Sequence, residues 1–260
     1  MLRPRIIPCL LVHEGGLVKT VRFRDPKYVG DPINAVKIFN EKEADELIVL
    51  DIDASAEGRE PNFRMIGQLA SECRMPLCYG GGVKNVEQAK RIIGLGAEKV
   101  AISSAALDDP SLISRIAESI GRQSVVVVLD VKQPRPDGDQ EVWTHNGSRN
   151  TGKLALQTAL DAQTLGAGEI VVNSIDNDGQ MKGYDLPLAG KMRKALRVPL
   201  TVLGGAGSLA DIEDLIAGCG LVGAAAGSLF VFKGPYRAVL ISYPQQEQKE
   251  RLISEAYARA

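Results

Sequence analysis

Two glycine-rich turns, alike in sequence and in surroundings, constrain this chain more than any other feature. The first is Gly80-Gly81-Gly82, within MPLCYGGGVKNVEQAKRIIGLGAEKVAISSAAL, and the second is Gly204-Gly205-Ala206-Gly207, within VPLTVLGGAGSLADIEDLIAGCGLVGAAAGSLF. In each, an apolar run leads into the glycines, an amphipathic helical pattern and a second apolar run follow, and a small turn with serine closes the copy. Gly80 to Ser104 and Gly204 to Ser228 both span 24 positions. Bare backbone amides after a strand and ahead of a helix form an anion site, because unpaired N–H groups and the helix dipole point at it. Gly81, Gly82, Ser103 and Ser104 in the first copy, and Gly205, Gly207, Gly227 and Ser228 in the second, are therefore candidate phosphate ligands. Two such loops at matched spacing describe a doubled unit with two phosphate-sized sites.

Apolar strand-like runs recur at 6–12, 47–52, 76–79, 99–102, 125–131, 169–172, 199–203 and 222–226, with helical patterns between them. Strands that alternate with helices imply βαβ units and a parallel sheet. Eight units with a two-fold internal repeat predict an α/β fold, a (β/α)8 TIM barrel made of two half-barrels. An open doubly wound sheet is the alternative, and it accommodates two equivalent glycine loops less well. No linker or low-complexity stretch divides the chain, so one domain is expected over 1–260. Its half-barrels fall at about 1–120 and 121–235, and a C-terminal helix runs to 260.

Composition narrows the function classes. Thirty-one basic against 32 acidic side chains leave a net charge of −1, which argues against bulk nucleic-acid binding. The apolar stretch at the start is too short for a signal peptide or membrane span, so a cytoplasmic protein with no membrane partner is expected. Cys9, Cys73, Cys78 and Cys219 form no C-x-x-C pair, and His13 and His145 are the only histidines, so free thiols and no metal site are expected.

In such barrels the chemistry lies at the C-terminal ends of the strands. Those ends offer Lys19 after strand one, Asp51 and Asp53 after strand two, and Asp130 and Lys132 after strand five. Strand six adds Ser174, Asp176 and Asp178, with Gly179 in the same turn. Superposing the half-barrels sets IIPCLLV on VVVVLDV, so Leu11 stands opposite Asp130. A carboxylate on each half would make a natural acid–base pair across a substrate with two phosphates. Only Asp130 is present. Trp143 sits in an expected hairpin, VWTHNG, as a lid element or a packed aromatic, and Tyr184 reads as loop packing.

RIIPCL at Arg5–Leu10, LVK at Leu17–Lys19, DELIVLDI at Asp45–Ile52, YGGGV at Tyr79–Val83, RQSVVVVLD at Arg122–Asp130, NTG at Asn150–Gly152, GAGEI at Gly166–Ile170, SIDNDGQMKGYD at Ser174–Asp185 and GGAGS at Gly204–Ser208 together resemble the cyclase subunit of imidazole glycerol phosphate synthase. The resemblance covers the chain from Arg5 to about Phe232. It implies a glutaminase subunit docked on the N-terminal barrel face, ammonia passing through the barrel, and a lyase-type reaction at the mouth needing no cofactor. The family's ring of four charged residues falls on Arg5, Glu46, Lys99 and Glu169, which would form an ammonia gate. Its substrate loop falls on Asp176 and Gly179.

Its two catalytic aspartates fall on Leu11 and Asp130, so one is kept and one replaced. His13, two residues along, shares that face only if strand one continues to it. The family's Asn-Thr after strand four falls on Ser103-Ser104. The stretch from Leu10 to Ser55 resembles more closely a divergent branch associated with acetamidino groups on bacterial surface sugars. That resemblance implies ammonia supplied to a separate sugar amidotransferase. The leading expectation is thus an ammonia-channelling subunit of a glutamine amidotransferase complex with a small phosphorylated ligand. The alternatives are a genuine histidine-pathway cyclase, using Asp130 with His13 or a water, and a non-catalytic phosphate-binding scaffold. A related half-barrel isomerase is a weaker alternative.

Overall fold

The computed structural model describes residues 3–135 and 138–259. Met1, Leu2 and Ala260, at the ends of the expected domain, and residues 136–137 within it lie outside the described residues. Eight parallel strands close on themselves: β1 Arg5–His13, β2 Leu47–Asp51, β3 Leu77–Gly80, β4 Lys99–Ile102, β5 Val125–Lys132, β6 Glu169–Ser174, β7 Leu200–Leu203 and β8 Gly223–Ala226. Closure comes from β8 pairing with β1 and from β5 pairing with β6 through six registered residues, Glu169↔Val126 to Ser174↔Val131. The chain is therefore a (β/α)8 TIM barrel, and the open-sheet alternative is excluded.

The eight outer helices are α1 Pro32–Glu41, α2 Phe63–Glu72, α3 Val86–Gly94, α4 Ser111–Ile120, α5 Ala155–Leu165, α6 Leu186–Ala195, α7 Leu209–Cys219 and α8 Gln246–Arg259. Their starts are written in short polar residues. Asp31, Asn62, Asn85, Asp185 and Ser208 each accept a backbone N–H of the first turn, and Ser208 with Asp211 completes a capping box. Those caps fix where each strand-to-helix loop ends, and so which residues reach the barrel rim.

Strand alternation sorts the apolar side chains into two layers. Ile6, Leu10, Val12, Val127, Leu129 and Val131 point outward against the helices. Ile7, Cys9, Ile48, Cys78, Ala101, Val126, Val128, Val171, Leu203 and Ala225 fill the interior, with every strand contributing. All four cysteines are free thiols. Burial raises the Cys9 thiol to about 11 and lifts Cys78 well above its usual range, so the interior disfavours charge.

Two hairpins rise from the same rim, each following the first strand of a half-barrel. Gly16–Val21 pairs with Arg24–Gly30 after β1, and Glu141–Thr144 pairs with Arg149–Leu154 after β5. The sequence pattern predicts no hairpin at the first of these. Its two-residue turn, Arg22-Phe23, has φ of +53° and +61°, a type I′ geometry without the glycine or asparagine that usually announces it. No helix among the described residues is long and apolar enough to cross a membrane.

Candidate active site and the ring beneath it

At the N-terminal end of the barrel, Arg5, Lys99 and Glu169 are the first residues of β1, β4 and β6, and Glu46 directly precedes β2. Their side chains converge. Arg5 donates to Glu46 and, at 2.7 Å, to Glu169, while Lys99 Nζ lies 2.7 Å from Glu46 Oε1 and 2.8 Å from Glu169 Oε2. Cation and anion therefore alternate around a closed ring. Thr201 on β7 adds a hydroxyl that donates to Glu169 at 2.6 Å. Both carboxylates are buried, at 4% and 5% side-chain exposure, whereas Arg5 and Lys99 keep 27% and 18%. Burial alone would raise the Glu169 carboxyl, but the Arg5 and Lys99 charges and hydrogen bonds outweigh it and hold it at about 2. Lys99 is raised in turn, the two carboxylates overcoming its burial.

At the opposite rim lies a cavity of about 240 Å³, lined from all eight strand ends and by both hairpins. Gly81, Gly82, Ser103, Ser104, Gly179, Gly205, Gly227, Ser228, Lys19 and Asp130 all reach it. Gly81 holds φ +122° and packs so closely under β2 that a Cβ there would lie 2.5 Å from the Asp51 carbonyl oxygen. Gly227 serves a neighbour: a Cβ would come within 2.6 Å of Lys19 Nζ. Lys19 is buried, donates to the Cys9 carbonyl at 2.6 Å, and has its pKa lowered by that burial.

Asp130 accepts from Asn173 Nδ2 at 2.9 Å, across the β5–β6 register that pairs the two residues. Burial lifts its carboxyl to about 6, partly offset by the Asn173 hydrogen bond and reinforced by Asp178. Leu11 lies on the corresponding inward face of β1 and lines the same cavity. Strand β1 does continue to His13, which also lines the cavity and donates Nδ1 to Asp53 Oδ1 at 2.7 Å. Asp53 also accepts the Glu14 amide at 2.8 Å. Asp51 accepts the amides of Asp53 and Ala54, capping the short helix Ile52–Ala56. The Asn173 Oδ1 and Ser103 Oγ atoms are buried without a hydrogen-bond partner among the described residues. Both belong to cavity-lining residues, so a polar ligand entering there would meet unmet hydrogen-bonding capacity.

Two expected ligands sit differently. Asp176 lies outside the cavity lining, and its Oδ2 accepts the Gln133 amide at 3.2 Å. Asp178, two residues on, faces the cavity instead, accepting from Thr20 Oγ1 at 2.7 Å and from the Phe23 amide at 3.1 Å. The Gly207 amide is already taken by Asp211 at 2.8 Å, inside the α7 capping box, and Gly204, Gly205 and Ala206 line the cavity in its place. Sequence reasoning passed over Asn173; the signal was its place on the inward parity of β6, one step above Val171. Trp143 pairs in register with Asp130 but lies outside the cavity lining, with Lys132 Nζ 5.0 Å from its ring centre. Tyr184 is packed, its hydroxyl donating to the Ala225 carbonyl at 3.0 Å. Among the described residues no group of three or more His, Cys, Asp or Glu is placed to hold a metal ion.

The family model described as "Histidine biosynthesis protein" matches residues 5–236. The chain is 58% identical over 253 residues to "Putative imidazole glycerol phosphate synthase subunit hisF3" of Vibrio vulnificus strain YJ016, covering 97% of both chains. It is 56% identical to "Putative imidazole glycerol phosphate synthase subunit HisF" of Leptospira borgpetersenii, covering 97% of this chain and 100% of that one. With "Imidazole glycerol phosphate synthase subunit HisF" of Hyphomonas neptunium it shares 44% identity over 89% of this chain and 91% of the relative.

Proposed function

Because the chain belongs to the histidine biosynthesis protein family, we propose that it is the cyclase-type barrel of a glutamine amidotransferase complex, built to carry ammonia rather than to run the two-aspartate reaction. A glutaminase subunit docks on the N-terminal face, and ammonia enters at the ring of Arg5, Glu46, Lys99 and Glu169. The apolar interior then admits the neutral molecule and disfavours ammonium, as its raised thiols indicate. Gly81, Gly82, Ser103 and Ser104 on one side, and Gly205, Gly227, Ser228 and Lys19 on the other, hold a small phosphorylated ligand at the rim. The protein works as one domain of two half-barrels, in the cytoplasm, without metal or organic cofactor.

One observation carries this reading: a closed charge ring lies beneath a mouth in which Asp130 is retained and Leu11 occupies the matching place. A hydrocarbon side chain cannot take or give a proton, so a two-carboxylate mechanism lacks one partner. The resemblance of the Leu10–Ser55 stretch to the acetamidino-sugar branch supplies the acceptor: a bacterial surface sugar, amidinated by a separate sugar amidotransferase. Reconstitution tests this directly. Glutamine-driven amidination is expected from glutaminase, barrel and sugar amidotransferase together and is lost when the barrel is omitted. Failure of the barrel to bind any glutaminase subunit overturns the conduit.

The placement of His13 favours a second reading. Its imidazole is in the cavity and oriented by Asp53, so a working histidine-pathway cyclase would pair Asp130 with His13. Ammonium-dependent turnover that His13→Gln abolishes would establish it.

A further inference from the structure

The last described segment of the chain does more than cover the barrel. Tyr243 Oη donates to the Ile6 carbonyl at 2.8 Å and accepts the Asp45 amide at 3.1 Å. Asp45 Oδ2 accepts the Ile6 amide at 2.9 Å. On α8, Lys249 Nζ donates to Asp45 Oδ1 at 2.8 Å and to the Glu43 carbonyl at 3.1 Å. Four of these five bonds converge on Ile6 and Asp45, the immediate chain neighbours of the ring residues Arg5 and Glu46.

The chemistry is expensive for simple coverage. The Lys249 side chain is only 3% exposed, and burying an ammonium is strongly unfavourable unless a partner compensates it. A helix that needed only to shield the barrel could use an apolar residue there, as it does at Leu252 and Ala256. Its far end is tied elsewhere, by Arg259 to Glu213 and Asp214 on α7. Tyr243 is itself wedged between Phe39 and Phe230, with ring centres 6.5 and 5.4 Å away, so its hydroxyl has little freedom to leave.

We propose that Tyr243 and Lys249 are positioning residues for the charge ring, acting through Ile6 and Asp45 to set the side chains of Arg5 and Glu46. Detaching this latch lets the start of β1 and the residues leading into β2 shift relative to one another. The ring then loses its alternation first at the Arg5–Glu46 contact, and Lys99 is left with looser partners. The bearing of this on ammonia rests on the conduit reading; the positioning of the ring does not.

Hydrogen exchange at the Lys99 ammonium, read by nitrogen-15 NMR on the full chain and assigned with Lys99→Arg, tests the proposal. Tyr243→Phe removes one hydroxyl and keeps the packed ring, and Lys249→Met removes the charge at similar volume. Both are expected to speed Lys99 exchange about tenfold or more, whereas Arg259→Ala, which loosens the same helix away from the ring, leaves it within about twofold. Unchanged Lys99 exchange in both latch variants overturns the proposal. Equal acceleration by Arg259→Ala also overturns it, because the effect would then be general loosening. In the reconstituted complex, latch variants should lower the glutamine-driven rate relative to the ammonium-driven rate. Faster Lys99 exchange with that ratio intact supports positioning and counts against the conduit.

Discussion

His13 Nδ1 lies 2.7 Å from Asp53 Oδ1, and β1 holds that imidazole two residues beyond Leu11 on the same inward parity. The barrel therefore keeps a titratable group on strand one, displaced outward along the strand from the place opposite Asp130. The Asp53 hydrogen bond raises the His13 pKa above 6.5, helped by the Asp53, Glu14 and Glu57 charges and opposed by partial burial. A folded-state pKa raised above the unfolded value gives stability that is present below about 6.5 and lost as pH rises through the folded value. His13→Gln is expected to cost about 0.5 kcal/mol more at pH 6 than at pH 9, the imidazole being one-third exposed so that solvent screens its charge. Urea unfolding at the two pH values checks it. Imidazole NMR, assigned with His145→Gln, reads the pKa directly.

Asp130 gives the same direction of pH dependence at lower pH, but here removal of the group stabilises. Its carboxyl sits at about 6 in the fold against 3.8 for an ordinary aspartate, because burial outweighs the Asn173 hydrogen bond. The native state thus holds its proton more tightly, and stability falls as pH rises from about 4 to about 6. Asp130→Asn should leave stability unchanged at pH 3.5 and raise it by on the order of 2 kcal/mol at pH 8. Asn173→Ala should move the carboxyl further up. Carbon-13 titration of the carboxyl and urea unfolding across that range measure both.

Glu169 behaves as the usual depressed acid. With its carboxyl at about 2 against 4.5 ordinarily, its stabilisation is present above about 4.5 and lost as pH falls through about 2. Glu169→Gln leaves Arg5 and Lys99 facing one carboxylate and should cost about 3 kcal/mol at pH 7, the low end for a broken buried pair because both cations retain some solvent. The gap from the native chain should close towards pH 2, as followed by chemical unfolding.

Gly227→Ala should act on ligand binding more than on folding. A methyl group there meets first the end of the Lys19 side chain, at 2.6 Å from Nζ, and then the Cys9 carbonyl oxygen at 3.3 Å, so the lysine head must shift from its present place. Calorimetry with ribose 5-phosphate is expected to show affinity weakened about tenfold, the loss of one charge-assisted phosphate contact. Unchanged affinity would mean that Lys19 does not contact the phosphate.

Much of this molecule was legible in the sequence because strand and helix periods are strong signals when eight units repeat them. The eight barrel strands fall within two residues of their expected bounds, since each is a short apolar run with polar residues at its edges. The ring residues could be named because the family resemblance sets its four charges on Arg5, Glu46, Lys99 and Glu169, and the structure brings those side chains together. The Gly16–Val21 and Arg24–Gly30 hairpin was not legible, since Arg22-Phe23 adopts left-handed geometry without a residue that favours it. Asp176 and Asp178 share one turn and differ only in which way the chain presents them. The Arg22 amide donates to the Asp178 carbonyl at 3.0 Å, a tertiary contact that no local pattern encodes. The Tyr243 and Lys249 contacts were hidden for the same reason, as they join residues about 200 positions apart.

The most direct test of the account is ammonium-dependent turnover of the histidine-pathway bis-phosphate intermediate by the purified chain, with Leu11→Asp assayed beside it. A conduit barrel gives no turnover as the native chain and measurable turnover as Leu11→Asp, in which a strand-one carboxylate again faces Asp130. Turnover by the native chain would contradict the conduit reading and make the barrel a working cyclase.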